Sequence, residues 1–296
     1  MKSPLVSIVM PSYNTGRFIA ESIRSVQAQT YTNWELIIVD DCSSDNTMEV
    51  ISDLVQESCN PRHCEERSDE AIHDGCKIRV LQNATNCGAA VSRNRALREA
   101  RGKYIAFLDS DDLWAPDKLE KQVAFMKQNG YAFSYTCYNE IDENGAASGV
   151  TVGGPRHVGK IGMYNYCWPG CLTVMYDREV VGDIQIADIK KNNDYAMWLK
   201  VIKKADCYLL DECLASYRKR SGSISHDERH CEAKPKQSKT LKKDNTLARY
   251  LSLIKWHYKL YRDAEGMNPI SSLWITARNL FFGVMKKLLY VGRDGI

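Results

Sequence analysis

Short apolar runs alternate with amphipathic stretches along the first 110 residues. Residues 5–11 are apolar and β-branched, and residues 15–28 place Phe18, Ile19, Ile23 and Val26 at helical spacing. Residues 34–40 (WELIIVD) predict a second buried strand, and Asp45 is a suitable N-cap for a helix carrying Met48, Val50 and Ile51. A third strand over 77–81, a helix over 89–100 and a fourth strand over 104–109 (YIAFLD) continue the alternation. Strands that are almost continuously apolar and separated by helices imply a parallel sheet covered on both faces. Ligands of such sheets bind at the carboxyl ends of the strands, where Asp40, Asp41 and Asp109 fall.

Pro116 suits the first position of a helix running through Asn129, with Gly130 as its stop. A strand over 131–137, a Gly-rich stretch over 149–162, a strand over 171–176 and an amphipathic helix over 194–204 follow. Two short apolar runs, 207–210 and 214–217, complete this unit, and the tail from about 239 reads as helix broken near Gly266 and Pro269. The pattern divides the chain into a catalytic-sized unit (1–226), a polar linker (227–240) and a helical extension (241–296). Two polar stretches, at about 58–76 and 229–239, interrupt it and share the tetrapeptide R-H-C-E, which is too short to be a structural repeat. Both read as tolerated surface loops, and the core is expected to survive deletion of 59–75. The spacing of His63, Cys64, His73 and Cys76 fits no zinc pattern.

Composition narrows the class. The 296 residues are 44% hydrophobic and 26% charged, which excludes wholesale disorder and a polytopic membrane protein. A formal charge of +3, from 40 basic and 37 acidic residues, gives no reason to expect a nucleic-acid partner. Eleven cysteines without a C-x-x-C pair suit free thiols in a reducing cytosol. No export signal opens the chain and no long uncharged apolar window occurs, so the expected location is cytoplasmic.

Candidate chemistry gathers at the strand ends. In Asp109-Ser110-Asp111-Asp112 the carboxylates repel one another unless a cation sits among them. A hard divalent metal, also bound to a diphosphate, resolves that conflict; an acidic turn capping the helix near Pro116 is the plainer reading. The second acidic strand end, Asp40-Asp41, lies on the same edge and can accept hydrogen bonds from a base or a ribose. Pro11-Ser12-Tyr13-Asn14 offers an aromatic face for a base, and Arg93 a cation for phosphate. Together these compose a nucleotide-diphosphate site with neither a Walker loop nor G-x-G-x-x-G.

The motifs V-S-I-V-M-P-S-Y-N (6–14), V-D-D-C-S-S-D-N-T (39–47), N-C-G-A-A-V-S-R-N-R-A (86–96) and G-K-Y-I-A-F-L-D-S-D-D-L-W (102–114) resemble the family 2 inverting glycosyltransferases. D-Y-A-M-W-L-K (194–200) and Y-R-K-R-S-G-S-I-S (217–225) extend the resemblance over roughly 4–226, nearest to bacterial enzymes of teichuronic-acid-type surface polysaccharides. The resemblance implies the α/β GT-A fold, with a mostly parallel central sheet flanked by helices and here a helical C-terminal extension. It implies a nucleoside-diphosphate sugar donor, a saccharide or lipid-linked acceptor, and Mg²⁺ or Mn²⁺ as cofactor. It carries the base platform and nucleoside carboxylate to Pro11, Tyr13 and Asp41, with Asp40 beside it, and the D-x-D motif to Asp109 and Asp111. Asp111 is then the direct metal ligand, Asp109 a ribose or metal-water contact, Asp194 the general base and Arg218 a diphosphate contact. The plainer role for Asp194 is an N-cap shared with Asn193.

Three positions depart from that family's pattern. Cys42 stands where glycine is usual, Asn193 replaces a glutamate, and Arg220 stands near where a histidine is common. A non-catalytic carbohydrate- or nucleotide-binding relative is the competing class, and retention of Asp109, Asp111 and Asp194 together argues against it. Trp114 and Trp198 read as core, whereas the Gly/Pro loop at Trp168 is expected to reach the acceptor cleft. The tail helix 271–290 mixes Leu273, Trp274, Ile275, Leu280, Phe281 and Phe282 with Arg278, Lys286 and Lys287. It suits either peripheral contact with an anionic membrane surface or packing on the catalytic unit.

Overall fold

The computed structural model describes residues 3–58, 77–189, 191–220 and 246–293. The polar stretches expected as loops at 59–76 and 229–239, and the linker 227–240, lie outside the described residues. The first half alternates β1 (Val6–Ser12), α1 (Ile19–Gln27), β2 (Trp34–Asp40), α2 (Thr47–Ser58), β3 (Ile78–Gln82), α3 (Ala89–Glu99) and β4 (Tyr104–Phe107). After β5 (Leu113–Trp114) come α4 (Lys118–Asn129), β6 (Phe133–Ile141), β7 (Ala147–Val152), β8 (His157–Val158) and α5 (Lys160–Asn165). A 3-10 turn at Cys171–Thr173 leads to β9 (Met175–Asp177), α6 (Arg178–Val181), α7 (Asn193–Val201) and β10 (Cys207–Arg218). The extension is α8 (Thr246–Lys259), a π-helical turn (Leu260–Ala264), α9 (Pro269–Leu289) and β11 (Val291–Arg293).

The strand order is β11-β7-β6-β9-β4-β1-β2-β3, with β10 on β6, β5 and β8. Strands β3, β2, β1 and β4 are mutually parallel. Beyond them β9 enters antiparallel between β4 and β6, so the sheet becomes mixed. The apolar strands are continuous because both faces are covered. Val9, Ile37, Val39, Ile105 and Phe107 point into one core with α3, α7 and Tyr261. Ile8, Met10, Leu36, Ile38 and Ala106 point into the other with Ile19, Ile23, Val26 and Leu119.

The chain reverses direction across the sheet at β1, which has β2 on one side and β4 on the other. A crevice therefore opens at the carboxyl ends of β1 and β4. In register, Ser12 lies beside Asp40 and Val9 beside Phe107, so Tyr13 and Asp109 follow the ends of neighbouring strands.

Several local predictions need correction. The Gly-rich stretch 149–162 contains most of β7, all of β8 and the start of α5. The strand expected over 171–176 is a 3-10 turn followed by the short β9, and the two runs at 207–217 are one strand, β10, bulged against β6. The helix expected to begin at Pro116 begins at Lys118 and stops at Gly130, whose φ of 68° suits a residue without a β-carbon.

Candidate active site

Two loops are laced together before any ligand arrives. Asn14 Oδ1 accepts from Ser44 N (2.9 Å), Asn14 N donates to Ser43 Oγ (2.9 Å), and Asp45 Oδ2 accepts from Gly16 N (3.1 Å). Asp45 Oδ1 also accepts from Thr47 N (3.0 Å) at the start of α2, the capping contact its position predicts. Asp40 is fully buried and accepts from Ser43 N (2.9 Å) and Gln82 Nε2 (3.3 Å). Asp41 accepts from Asn83 Nδ2 (2.7 Å), Cys87 N (2.9 Å) and Gly88 N (2.6 Å), and so holds the entrance to α3. Gly88 sits at φ 88°, a conformation that disfavours any side chain there. Pro11 lies half-buried within β1, and Tyr13 leaves its ring 45% exposed just beyond it.

The cationic and acidic side chains meet at the end of β4. Arg93, buried on α3, donates through one guanidinium nitrogen to Asp109 Oδ1 (2.5 Å) and through the other to Asn193 Oδ1 (2.8 Å). One arginine thereby ties β4 to the first residue of α7, beside Asp194. Burial opposes the Arg93 charge, but Asp109 and Asp194 outweigh it and hold its pKa above the ordinary value. Asp194 is pushed upward by burial and by Asp109, while Arg93 and the Tyr195 N–H pull the other way. It is not the N-cap of α7: that position is Asn192, at φ 60°, and Asp194 Oδ1 accepts from Tyr195 N (2.8 Å) inside the first turn.

Asp111 accepts from Arg220 Nε (2.5 Å) through Oδ2. Burial raises its pKa, Arg220 opposes that, and Asp109 adds to it. Asp112 is turned inward, accepting from Arg218 N (2.9 Å), and burial together with Asp111 and Asp109 raises it strongly. Arg218 itself is 1% exposed. It donates to Glu21 Oε2 (2.6 Å) and to the carbonyl oxygens of Asp111 (2.8 Å) and Glu143 (3.2 Å). Arg218 thus braces the acidic turn from behind, and Arg220 is the guanidinium on the Asp111 carboxylate. Alternation along a strand from Arg218 would have pointed to Arg220 in the sequence. Asn83 and Asn192 carried no such signal, and Asn193 stood out only as the residue in place of a glutamate. Asn192 Nδ2 is buried with no hydrogen-bond partner among the described residues.

The donor set suits a divalent cation held jointly with a ligand. Asp109, Asp111, Asp112 and Asp194 face Arg93, Arg218 and Arg220, and Arg218 is shared with Glu21, so negative charge is in excess. Among the described residues no group of three or more His, Cys, Asp or Glu side chains is placed to hold a metal ion. A hard cation there would complete its shell from phosphate oxygens and water, as Mg²⁺ commonly does. Trp168 is not part of this cleft: it is buried, donates Nε1 to Gly162 O (3.0 Å) and packs edge-on against Tyr166, Phe282 and Tyr290. Trp114 and Trp198 are core, as expected.

A switch-point crevice with an exposed aromatic, buried acceptors and an acidic turn belongs to the GT-A glycosyltransferase fold. S. aureus TarS 1-349 in complex with UDP-GlcNAc has that architecture, with a TM-score of 0.62, 20% identity, and coverage of 94% of this chain and 72% of its own. Residues 7–152 match the model of glycosyl transferase family 2. TuaG of Bacillus subtilis (strain 168), a glycosyltransferase named for teichuronic acid biosynthesis, is 41% identical over 226 residues, which are 76% of this chain and 83% of TuaG. WfgD of Escherichia coli, a UDP-Glc:alpha-D-GlcNAc-diphosphoundecaprenol beta-1,3-glucosyltransferase, is 38% identical over 231 residues, 77% of this chain and 82% of WfgD. The chain belongs to glycosyl transferase family 2 and is an inverting, nucleotide-sugar-dependent enzyme.

Proposed function

We propose that the protein transfers a sugar from a nucleoside diphosphate to a hydroxyl of a lipid-linked saccharide during synthesis of a surface polysaccharide. The observation that carries this reading is the Arg93 bridge, which joins Asp109 at the donor side to Asn193 beside Asp194. The names of TuaG and WfgD support the acceptor class. In this reading residues 1–226 are the catalytic unit and 241–296 an extension of it.

The nucleoside stacks on Tyr13 beside Pro11, and Asp40 and Asp41 shape and line the pocket for its base and ribose. Asp109 and Asp111 are the residues that would hold Mg²⁺ or Mn²⁺ together with the diphosphate. When bound, that ion supplies positive charge against the oxygen that leaves. Arg220, released from Asp111, adds to that charge, while Arg218 keeps the acidic turn in place. Asp194 accepts the proton of the acceptor hydroxyl as its oxygen bonds to the anomeric carbon. The bond from that carbon to the diphosphate breaks, its electron pair leaves with the nucleoside diphosphate, and configuration inverts. The transfer needs a single base, unlike the paired carboxylates of glycoside hydrolysis.

A panel of UDP-, GDP- and dTDP-sugars with Mn²⁺ tests the reading through release of nucleoside diphosphate. Asp194→Asn is expected to lower turnover by about 10²–10⁴-fold while calorimetric affinity for the donor stays within about twofold. Because burial raises the Asp194 pKa, turnover of the native enzyme should fall on acidification with a midpoint above 3.8. Donors that bind and all remain intact would make the protein a binding relative instead.

A further inference from the structure

We propose that the outer face of α9 docks on an anionic phospholipid bilayer, and that α8 and α9 join that bilayer to the helix bearing Asp194. The proposal rests on the reading that the acceptor is lipid-linked. Helix α9 differs from an ordinary surface helix: Ile275 and Phe282 pack inward together with buried polar side chains, and a second apolar face is left outside. Its inward side buries Ser272, Thr276, Asn279 and Lys286. Its outward side exposes Ile270 (83%), Leu273 (60%), Trp274 (64%), Phe281 (61%), Val284 (58%) and Leu288 (73%). These positions recur at helical spacing and make one stripe along 21 residues, a length of roughly 30 Å. Continuous apolar surface of that extent marks a site of association.

Charge selects the occupant. Residues 246–293 hold eight Lys or Arg, of which Lys286 is buried on the inward face, against two Asp or Glu, while the rest of the chain is slightly acidic. Aromatic and aliphatic side chains on one face, with basic residues around them, are the signature of a helix lying in a lipid interface. Crossing the bilayer is a different matter: among the described residues no helix is long and apolar enough for it.

The inward face explains why docking bears on transfer. Tyr195, the neighbour of Asp194, shares its hydroxyl with Tyr261 Oη (2.9 Å), and Asn279 Nδ2 reaches both hydroxyls (3.2 Å each). Lys286 Nζ donates to Trp168 O (2.8 Å), and Lys203 pairs with Glu265 (2.6 Å). A bilayer that holds α9 therefore also holds the first turn of α7, at the height where a membrane-borne acceptor is met.

Co-sedimentation of the full chain with phosphatidylcholine vesicles, with and without about one-third phosphatidylglycerol, tests this. The protein is expected to pellet with the anionic vesicles and to leave them at high salt. The variant Leu273→Ser/Trp274→Ser/Phe281→Ser changes only exposed side chains, and its fold is checked by circular dichroism. It should bind anionic vesicles at least about tenfold more weakly, while its hydrolysis of nucleotide-sugar in water is retained. Native protein that ignores both vesicle types overturns the proposal, as does a variant that binds as well as the native chain. Light scattering that shows a dimer dispersed by the same substitutions would make the face a subunit contact. Absence of nucleotide-sugar hydrolysis by the native chain would instead count against the catalytic reading, whatever the vesicles do.

Discussion

Cys42 holds a left-handed φ of 62° in the turn that follows Asp41, where glycine would sit without strain. Cys42→Gly is therefore expected to stabilise the fold by about 1 kcal/mol, read as a higher denaturation midpoint. Arg220 raises a different issue, because it occupies the Asp111 carboxylate proposed above to hold the cation. In Arg220→Met, Asp111 loses that competitor, and Mn²⁺ binding to the donor-free protein, followed by electron paramagnetic resonance, should tighten. Unchanged or weaker binding would mean that the arginine helps to shape the metal site rather than compete for it. The acidic residues of the site were legible because carboxylates crowded at a strand end need a chemical reason. Their hydrogen-bond partners were not, since Asn83, Asn193 and Glu21 come from distant parts of the chain and join only through the fold.

Among the elements, β1 to β4 and the helices between them could be read closely, because two-sided burial makes each strand an unbroken apolar run. Legibility fails where glycine and polar residues build a strand near the margin of the sheet, as in β7, and where bulges split β10 into two apparent runs. Helix α9 packs on the catalytic unit through Ile275 and Phe282 together with polar side chains, and turns its other apolar side chains outward. A hydrophobicity pattern finds apolar residues on both sides of such a helix, and it does not say which of them meet the core. The contact beneath α9 is correspondingly sensitive to polar deletions. Asn279→Ala removes a donor from two buried tyrosine hydroxyls and is expected to cost about 1–3 kcal/mol, measurable by urea denaturation. A loss within a few tenths of a kcal/mol would show that water replaces the amide.

For the whole molecule, the acidic site opposes the fold that carries it. Asp111, Asp112 and Asp194 all have pKa values raised by burial. The native state therefore keeps protons that the unfolded chain has lost, and stability declines as pH rises from the ordinary carboxylate value through the raised ones. A divalent cation favours the ionised forms, so protons compete with it. The gain in Tm on adding Mn²⁺ should accordingly shrink as pH falls toward the ordinary carboxylate range; a gain that stays constant across that whole descent would place the ion away from these carboxylates. The far end of the chain matters at this scale too. Strand β11 pairs Val291 with Val152 and Arg293 with Val150, beside a strand made some 140 residues earlier. During synthesis the outer edge of β7 must wait, open, until residues 291–293 have been made and can pair with it. A nascent or prematurely terminated chain would carry that bare edge into the cell, with chaperones as its natural cover.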